Sequence, residues 1–402
     1  MKKTTLSDVS LNITDGKHGD CVNEENSGFY FISCKDVKDD AINYESARQI
    51  TEKDFSEANK RTLLEPNDIL ITNSGTIGRM AFVRDVPSTY KTTFQKSVAI
   101  VKPNSDIIYP LYLYYQLQCC VERFINQSNG SAQKNLLLST MRAFELFIHD
   151  DLNTQRRIAD ILSAYDGLIE NNRKQIKLLE EAAQRLYKEW FVDLRFPGHE
   201  HTKIVDGVPE GWRIRAVSDF GEVITGKTPS TSRLEYYDGN IPFVTIPDMH
   251  NTIYPLSTGK RLSEQGANTQ KNKFLPPDSV MVSCIATVGL VNIASEWCQT
   301  NQQINSVILE DKKDLYFFYF AMKRIKSLLD GVGSNGATMT NVNKTKFESI
   351  KILYPGNYLT NCFFEVSMPI FQKVLVLSKE NQSLQQARDR LIPKLMSGEV
   401  EV

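Results

Sequence analysis

The chain has 402 residues, 41% of them hydrophobic, which is enough for two or three domains with buried cores. Its 47 Lys and Arg residues nearly balance 48 Asp and Glu residues, so a net charge of −1 excludes a bulk polycation. Any nucleic-acid surface must therefore be a local patch or belong partly to a partner. Seven cysteines without CxxC spacing, no signal-peptide pattern and no membrane-length apolar run favour a cytoplasmic protein.

The predicted elements alternate twice between mixed regions and long helices, which predicts an α+β fold. Short apolar runs bounded by Pro and Gly, such as residues 68–71 and 279–282, are typical of buried strands. Residues 153–191 contain no Pro and one Gly and are typical of a long helix. The predicted order is globular (1–150), helical (151–196), linker (197–212), globular (213–356) and helical (357–402).

The second globular region repeats the first in the same order. LLEPNDILITNSGTIG ends at Gly78, and FLPPDSVMVSCIATVG ends at Gly289. Other matches follow collinearly, among them Gln95 with Gln303, and their spacing changes only between apolar runs, where loops absorb insertions. Two copies are too few for a solenoid, so the repeat predicts two homologous domains.

Each helical region carries apolar residues at alternating steps of three and four, the heptad-like seam of a coiled coil. A pseudo-twofold repeat makes the pair antiparallel, with a globular domain expected at either end of a stiff spacer. An Asn in each seam is either a tolerated polar position or a register-setting pair. Pro393 and several glutamines predict a shorter, more polar second helix. The predicted seam residues are Tyr165, Leu168, Asn172, Ile176, Leu179, Leu186, Leu377, Asn381, Leu384 and Leu391.

No catalytic constellation is convincing. Asp278, with Glu310 and Lys312 further on, resembles a nuclease pattern, but Asn67 occupies the equivalent position in the first copy and turn chemistry explains Asp278. A methyltransferase needs a Gly-rich cofactor loop and an aromatic Asn/Asp-Pro-Pro motif, and neither is present. The five histidines do not cluster with cysteines, so no metal site is expected.

Three pairs of polar loops occupy equivalent places in the two copies: residues 15–20 with 225–233, 72–79 with 283–289, and 129–135 with 333–341. Their Lys, Arg, Asn, Gln, Ser and Thr side chains are types that contact phosphates and base edges, although ordinary surface loops share this composition. The candidate DNA-binding residues are Lys17, His18, Asn73, Ser74, Arg79, Gln133, Lys134, Lys227, Thr228, Ser230, Arg233, Thr287, Asn335 and Thr338.

The whole chain resembles the specificity subunits of type I restriction-modification systems. The resemblance is carried by QRRIADILSAYDGLIENNRKQIKLLEEAAQRLYKEWF (155–191), VPEGW (208–212), ITGKTPS (224–230), TNQQIN (300–305) and NGSAQKNL (129–136). It implies a non-catalytic subunit whose two target recognition domains each read half of a bipartite, asymmetric site in double-stranded DNA. It also implies that the helical regions form an antiparallel coiled-coil spacer and dock two modification (methyltransferase) subunits, and that separate restriction/translocase subunits take part in the complex.

The resemblance places S-adenosylmethionine, ATP and Mg²⁺ on those partners and no cofactor on this chain. The residues expected to read bases are Lys17, Gln133 and Lys134 in the first domain, and Lys227, Thr228 and Arg233 in the second. Two alternatives remain open at this stage. One is a stand-alone DNA nuclease built on the Asp278 pattern; the other is a coiled-coil adaptor or decoy that occupies the same partners without binding DNA.

Overall fold

The computed structural model describes residues 1–38, 40–130, 134–325 and 341–402, which contacts divide into two units. Unit 1 comprises Met1–Leu168 and Leu384–Val402, and unit 2 comprises Ile169–Ser383. Each unit therefore joins one globular region to the beginning of one long helix and the end of the other.

Unit 1 is built on a four-stranded antiparallel sheet in the order β2-β10-β7-β8. A second sheet, β6-β3-β9, contains a parallel pair, β3 with β9, and β1 pairs with β11. The elements are β1 Lys2–Thr5, β2 Ser10–Asp15, β3 Tyr30–Ile32, β4 Val37–Lys38, β5 Ala41–Ile42, β6 Arg48–Gln49, α1 Glu52–Thr62, β7 Ile69–Thr72, β8 Met80–Phe82, β9 Thr92–Phe94, β10 Val98–Pro103, α2 Pro110–Gln118, α3 Val121–Asn126, α4 Leu138–Arg142, β11 Glu145–Ile148 and α5 Leu152–Phe191.

Unit 2 repeats these three sheets strand for strand, whereas the pairing of β4 with β5 in unit 1, and of Ile204–Val205 with Val208–Pro209 in unit 2, has no counterpart among the described residues of the other unit. Its sheets are β15-β21-β18-β19, β17-β16-β20 with β16 and β20 parallel, and β14 with β22. The elements are β12 Ile204–Val205, β13 Val208–Pro209, β14 Arg213–Ala216, β15 Gly221–Thr225, β16 Tyr237–Val244, β17 Arg261–Leu262, α6 Glu264–Asn268, β18 Val280–Ser283, β19 Val291–Ile293, β20 Gln299–Thr300, β21 Ile304–Leu309, α7 Leu315–Lys323, α8 Lys344–Glu348, β22 Lys351–Tyr354 and α9 Asn357–Ser397.

The repeat extends to single hydrogen bonds. The N–H of Gly78 donates to the Thr72 carbonyl at 2.9 Å, and that of Gly289 donates to the Ser283 carbonyl at 3.0 Å. At the entry to the preceding strand, Asn67 and Asp278 both adopt positive φ, 73° and 70°. The predicted pair of homologous α+β domains is confirmed, and a left-handed turn position, which favours Asn or Asp, accounts for Asp278.

The long helices pair in antiparallel fashion, as the sequence predicts. In unit 1 the start of α5 and the end of α9 share one apolar core, which includes Ile158 and Leu395. In unit 2 the end of α5 meets the start of α9, where the ring centroids of Phe191 and Phe363 lie 5.1 Å apart. Beginning packs against end in both units, so the helices run in opposite directions.

Asn172 and Asn381 are buried in unit 2, at 5% and 8% exposure. Phe191 of α5 contacts Phe363 of α9. Asn172 lies about as far before Phe191 along α5 as Asn381 lies after Phe363 along α9. The antiparallel register therefore sets them opposite each other. Nδ2 of Asn172 and Oδ1 of Asn381 are buried and have no hydrogen-bond partner among the described residues.

Two predictions about the helices are wrong. Leu168 is 49% exposed, and the neighbouring Ile169, at 3%, occupies the seam instead, because the four–three alternation that runs from Leu162 through Tyr165 continues to Ile169 and Asn172. The second helix is not the shorter one: α9 has 41 residues and α5 has 40. Pro393 lies inside the last turns of α9 and does not end it. Of the other predicted seam residues, Leu377 is buried, and Tyr165, Ile176, Leu179, Leu186, Leu384 and Leu391 are half-buried.

Candidate nucleic-acid interface

In unit 1 the three polar loops converge on the turn formed by residues 95–97, between β9 and β10. Lys17 forms a parallel bridge with Gln95. The Asn73 N–H donates to the Ser97 carbonyl at 3.1 Å, and Ser74 pairs with Asn135 of the third loop. Side chains from distant parts of the sequence are thus brought to one end of the main sheet.

Unit 2 builds the same cluster from equivalent backbone atoms. The Lys227 N–H donates to the Thr300 carbonyl at 2.9 Å, and the Cys284 N–H donates to the Gln303 carbonyl at 2.8 Å. Ile285 pairs with Asn341, as Ser74 pairs with Asn135 in unit 1. The two units therefore hold their loops in a common backbone frame.

A glycine before the lysine makes this frame possible. A Cβ at Gly16 would lie 2.0 Å from the Phe94 carbonyl oxygen, and one at Gly226 would lie 2.2 Å from that of Asn301. Only glycine allows the first loop to pass this close to the 95–97 turn and its counterpart, residues 301–303. The shared Gly-Lys sequence is thus explained by backbone packing.

Most predicted DNA-binding residues lie at the surface of these clusters. His18 keeps 59% of its side chain exposed, while the ammonium of Lys17, at 19%, lies 3.6 Å from the Glu57 carboxylate. Ser74 and Thr228 are half-buried, and Lys134, Lys227, Ser230, Arg233 and Thr287 are exposed. Gln133, Asn335 and Thr338 lie outside the described residues.

Asn73 does not qualify as a DNA-binding residue, because its side chain is only 4% exposed. Its backbone N–H and C=O bond to Ser97 and Leu136, so it continues the buried strand β7 by one residue. Arg79 is exposed at the foot of the same loop, where it lines a cavity of about 640 Å³ together with Gln118 and Arg388.

The turns at the centre of both clusters were not among the predicted DNA-binding loops. Lys96 in unit 1 and Gln302 in unit 2 are exposed there, each between two half-buried residues. The backbone frame equates Gln95 with Asn301, not with Gln303 as the sequence alignment predicts, since the N–H groups of Gln95 and Asn301 bond to the equivalent carbonyls of Ile32 and Val244. The motif TNQQIN (300–305) contains the turn of unit 2, so the sequence did offer a signal for this turn.

Unit 1 also contains an ionic junction, formed by Arg388, Asp166, Asp40, Tyr115 and Gln118. The guanidinium of Arg388 lies 2.5 Å from Asp166 of α5 and 3.1 Å from Asp40 of the globular region. Tyr115 donates to Asp166, and Gln118 donates to Asp40. Burial raises the pKa of the Asp40 carboxyl, against the opposing effect of Arg388. The Arg388 guanidinium of α9 therefore stands at the centre of a network that also includes α5, the turn at Asp40 and α2.

The equivalent junction in unit 2 is aromatic. The Phe371 ring of α9 lies 5.9 Å from Phe320 of α7, which in turn lies 5.2 Å from Tyr187 of α5. Two homologous units thus attach their globular parts to the helices by different chemistry.

The nuclease pattern does not form an acidic cluster. Asp278 makes an ion pair with Lys312 at 3.1 Å, and both side chains are largely exposed. Across residues 1–38, 40–130, 134–325 and 341–402, no three His, Cys, Asp or Glu side chains are placed to hold a metal ion.

Comparison with known proteins identifies the family. Residues 3–181 and 209–357 match the family described as type I restriction modification DNA specificity domain. The chain belongs to this family. It is 32% identical, over 80% of its length and 84% of the relative, to the type I restriction enzyme HindI specificity subunit of Haemophilus influenzae. It is 26% identical, over 90% and 85%, to the MjaIX specificity subunit of Methanocaldococcus jannaschii.

A solved structure shows the same fold: the S subunit of a type I restriction-modification system from M. genitalium. It has a TM-score of 0.58 and 16% identity, with 98% of this chain and 95% of that chain covered. The expected specificity subunit, with its non-catalytic role, is confirmed by the family and the relatives. No helix within the described ranges has the length and apolar character needed to cross a bilayer.

Proposed function

We propose that the two loop clusters of this specificity subunit each contact one half of a bipartite, asymmetric site in double-stranded DNA. The observation that carries the proposal is a common backbone frame with unlike side chains, since Lys17 and Lys227 recur whereas His18 corresponds to Thr228. The shared backbone arrangement fits two half-sites of similar DNA geometry, and the differing side chains fit half-sites of different base sequence.

We also propose that the helices dock two modification subunits. Ile161 and Val366 are each the tenth residue of their helix, α5 and α9, and are 38% and 47% exposed. Equivalent exposed apolar positions fit two copies of one partner. In this arrangement S-adenosylmethionine resides on the modification subunits, ATP and Mg²⁺ are used by restriction/translocase subunits, and the assembly is cytoplasmic, in keeping with seven free cysteines.

The experiment that tests the function maps methylated adenines in the genome of cells with and without this chain. We expect one bipartite motif that disappears when the chain is deleted. Cells that assemble the modification complex but show no chain-dependent motif would instead favour the adaptor or decoy, and cleavage of DNA by the purified chain with Mg²⁺ would favour the nuclease.

The docking proposal is tested by native mass spectrometry of the chain with its modification subunit. Wild-type chain should bind two copies, and I161D or V366D should each bind one. Exposed Leu178 of α5, which has Ser383 at the equivalent position of α9, provides the matched control L178D, with two copies retained. If I161D and V366D each still bind two copies, Ile161 and Val366 are not the docking positions.

A further inference from the structure

We infer that one equivalent pair of positions decides which bases each unit reads: His18 with Lys96 in unit 1, and Thr228 with Gln302 in unit 2. The inference rests on the proposed function, because it concerns the same loop clusters. It assigns the choice of base to a small part of each cluster.

The equivalence of these positions follows from the backbone. The N–H groups of Gly16 and Gly226 each donate at 3.1 Å, to Val98 and Ile304 respectively. One residue later, Lys17 and Lys227 bond to Phe94 and Thr300 at 2.8 and 2.9 Å. The residues that follow these contacts, 18 with 228 and 96 with 302, therefore occupy the same places in the two units.

In unit 2 this pair is an oriented amide. The Thr228 hydroxyl donates to Oε1 of Gln302 at 2.7 Å, which leaves Nε2 without a partner among the described residues. Gln302 is exposed, so both Nε2 hydrogens are available to acceptors. Base edges in the major groove offer such acceptors: N7 and O6 of guanine, N7 of adenine and O4 of thymine.

In unit 1 the same places carry cationic and imidazole chemistry. Lys96 is exposed and offers three N–H donors with a full charge. His18 lies with Nε2 3.1 Å from Asp15, a carboxylate that Arg61 also contacts at 2.8 Å. Thus one position offers an ammonium in unit 1 and a neutral amide in unit 2, and these do not select the same base.

The neighbouring positions that do not differ are suited to another task. Gly16 and Gly226 fix the close passage of the loop, and each is followed by a lysine: Lys227 is exposed, and Lys17 is half-buried with its ammonium 3.6 Å from the Glu57 carboxylate. Identical charges suit the phosphate backbone, which is the same in every sequence. Within one frame, the shared residues thus contact what the half-sites have in common, and residues 18, 96, 228 and 302 contact what differs.

The test exchanges the chemistry at one position at a time. Q302K and K96Q are expressed with the modification subunits, and methylated motifs are mapped in cells that lack the wild-type chain. Q302K should change or relax base preference in one half-site, with roughly ten- to hundredfold weaker discrimination at one or two positions, and K96Q should do so in the other.

T228V and T228S test whether the orientation of the Gln302 amide matters, or only the presence of Gln302. T228V removes the hydroxyl that orients the amide and should relax the same half-site as Q302K, while T228S should retain the wild-type motif. Q386K, at an exposed glutamine of α9, adds the same charge away from the loops and should leave both half-sites unchanged.

Unchanged motifs in Q302K and K96Q, or equal changes in both half-sites, would overturn the inference while the wild-type motif still supports the proposed function. Absence of any motif with the wild-type chain would overturn the proposed function itself. If Q302K does not assemble, K96Q and T228V decide the matter independently, each for its own unit.

Discussion

Replacing Arg388 by Met should destabilise unit 1 and leave unit 2 nearly intact. Arg388 is 11% exposed at its side chain and is the cation between Asp166 and Asp40, which are 22% and 41% exposed. Removing one partner of a fully buried pair costs about 3–5 kcal/mol, because a buried charge is left uncompensated. Solvent screens Asp40 in part, so we expect a loss of roughly 2–3 kcal/mol in the free energy of unfolding of unit 1.

The loss should shrink in acid. The pKa of Asp40 is already raised in the folded protein, and removal of Arg388 raises it further. An acid with a raised folded pKa binds protons more readily when folded, so its contribution to stability falls as pH rises through that pKa. The deficit of R388M relative to wild type should therefore be larger at pH 7 than at pH 5.

The assay must distinguish the units. All three tryptophans, Trp190, Trp212 and Trp297, belong to unit 2, so their fluorescence reports unfolding of that unit alone. Hydrogen exchange followed by mass spectrometry covers α2 and the start of α5 in unit 1. R388M should accelerate exchange there without moving the tryptophan transition, whereas R388K, which keeps the charge but not the fork, should give an intermediate effect. Unchanged exchange in α2, or a deficit equal at the two pH values, would refute this reasoning.

Three further predictions concern the helices and the loop frame. N381L should change the free energy of unfolding in urea by no more than about 1 kcal/mol, because Nδ2 of Asn172 and Oδ1 of Asn381 are buried without partners and the change breaks no bond between them, and N172L/N381L, which removes both amides, should be at least as stable as wild type; a clear loss of stability in the double variant would contradict this reasoning. F363A should destabilise unit 2 by roughly 3–5 kcal/mol, read from the tryptophan transition, and an unmoved midpoint would contradict its place in the core. G226A should cost about 1–3 kcal/mol and weaken DNA binding, whereas G167A, whose Cβ meets nothing within 4 Å, should stabilise α5 by about 1 kcal/mol; equal effects of the two would refute the steric argument.

Sequence reasoning succeeded where a pattern is repeated and failed where the answer depends on contacts. The collinear matches around Gly78 and Gly289 were sufficient to predict two homologous domains, and the four-stranded sheets that contain them are equivalent strand for strand. The predicted seam was wrong by one residue at Leu168. Leu168 and Ile169 are both apolar, and only packing shows that Ile169 is the buried one. The glutamines suggested a second helix shorter than the first, which α9 is not, whereas Pro393 does lie near the end of α9.

The candidate site was predicted in outline only. Composition selected the loops, but it could not distinguish Asn73, which continues a buried strand, from exposed residues such as Lys227. It also missed Lys96 and Gln302, which lie in turns that bring other loops together. Such convergence depends on backbone bonds between residues far apart in the sequence, such as Lys17 with Phe94.

The division of the chain has a consequence for its synthesis. Residues 384–402 contribute Ile392, Leu395 and Met396 to the core that contains Ile158 and Leu162, yet the ribosome makes them after all of unit 2. The first globular region is therefore synthesised early, and its apolar core stays incomplete until residues 384–402 have been synthesised. A premature stop codon after residue 383 would leave unit 2 whole and damage the region that was translated first.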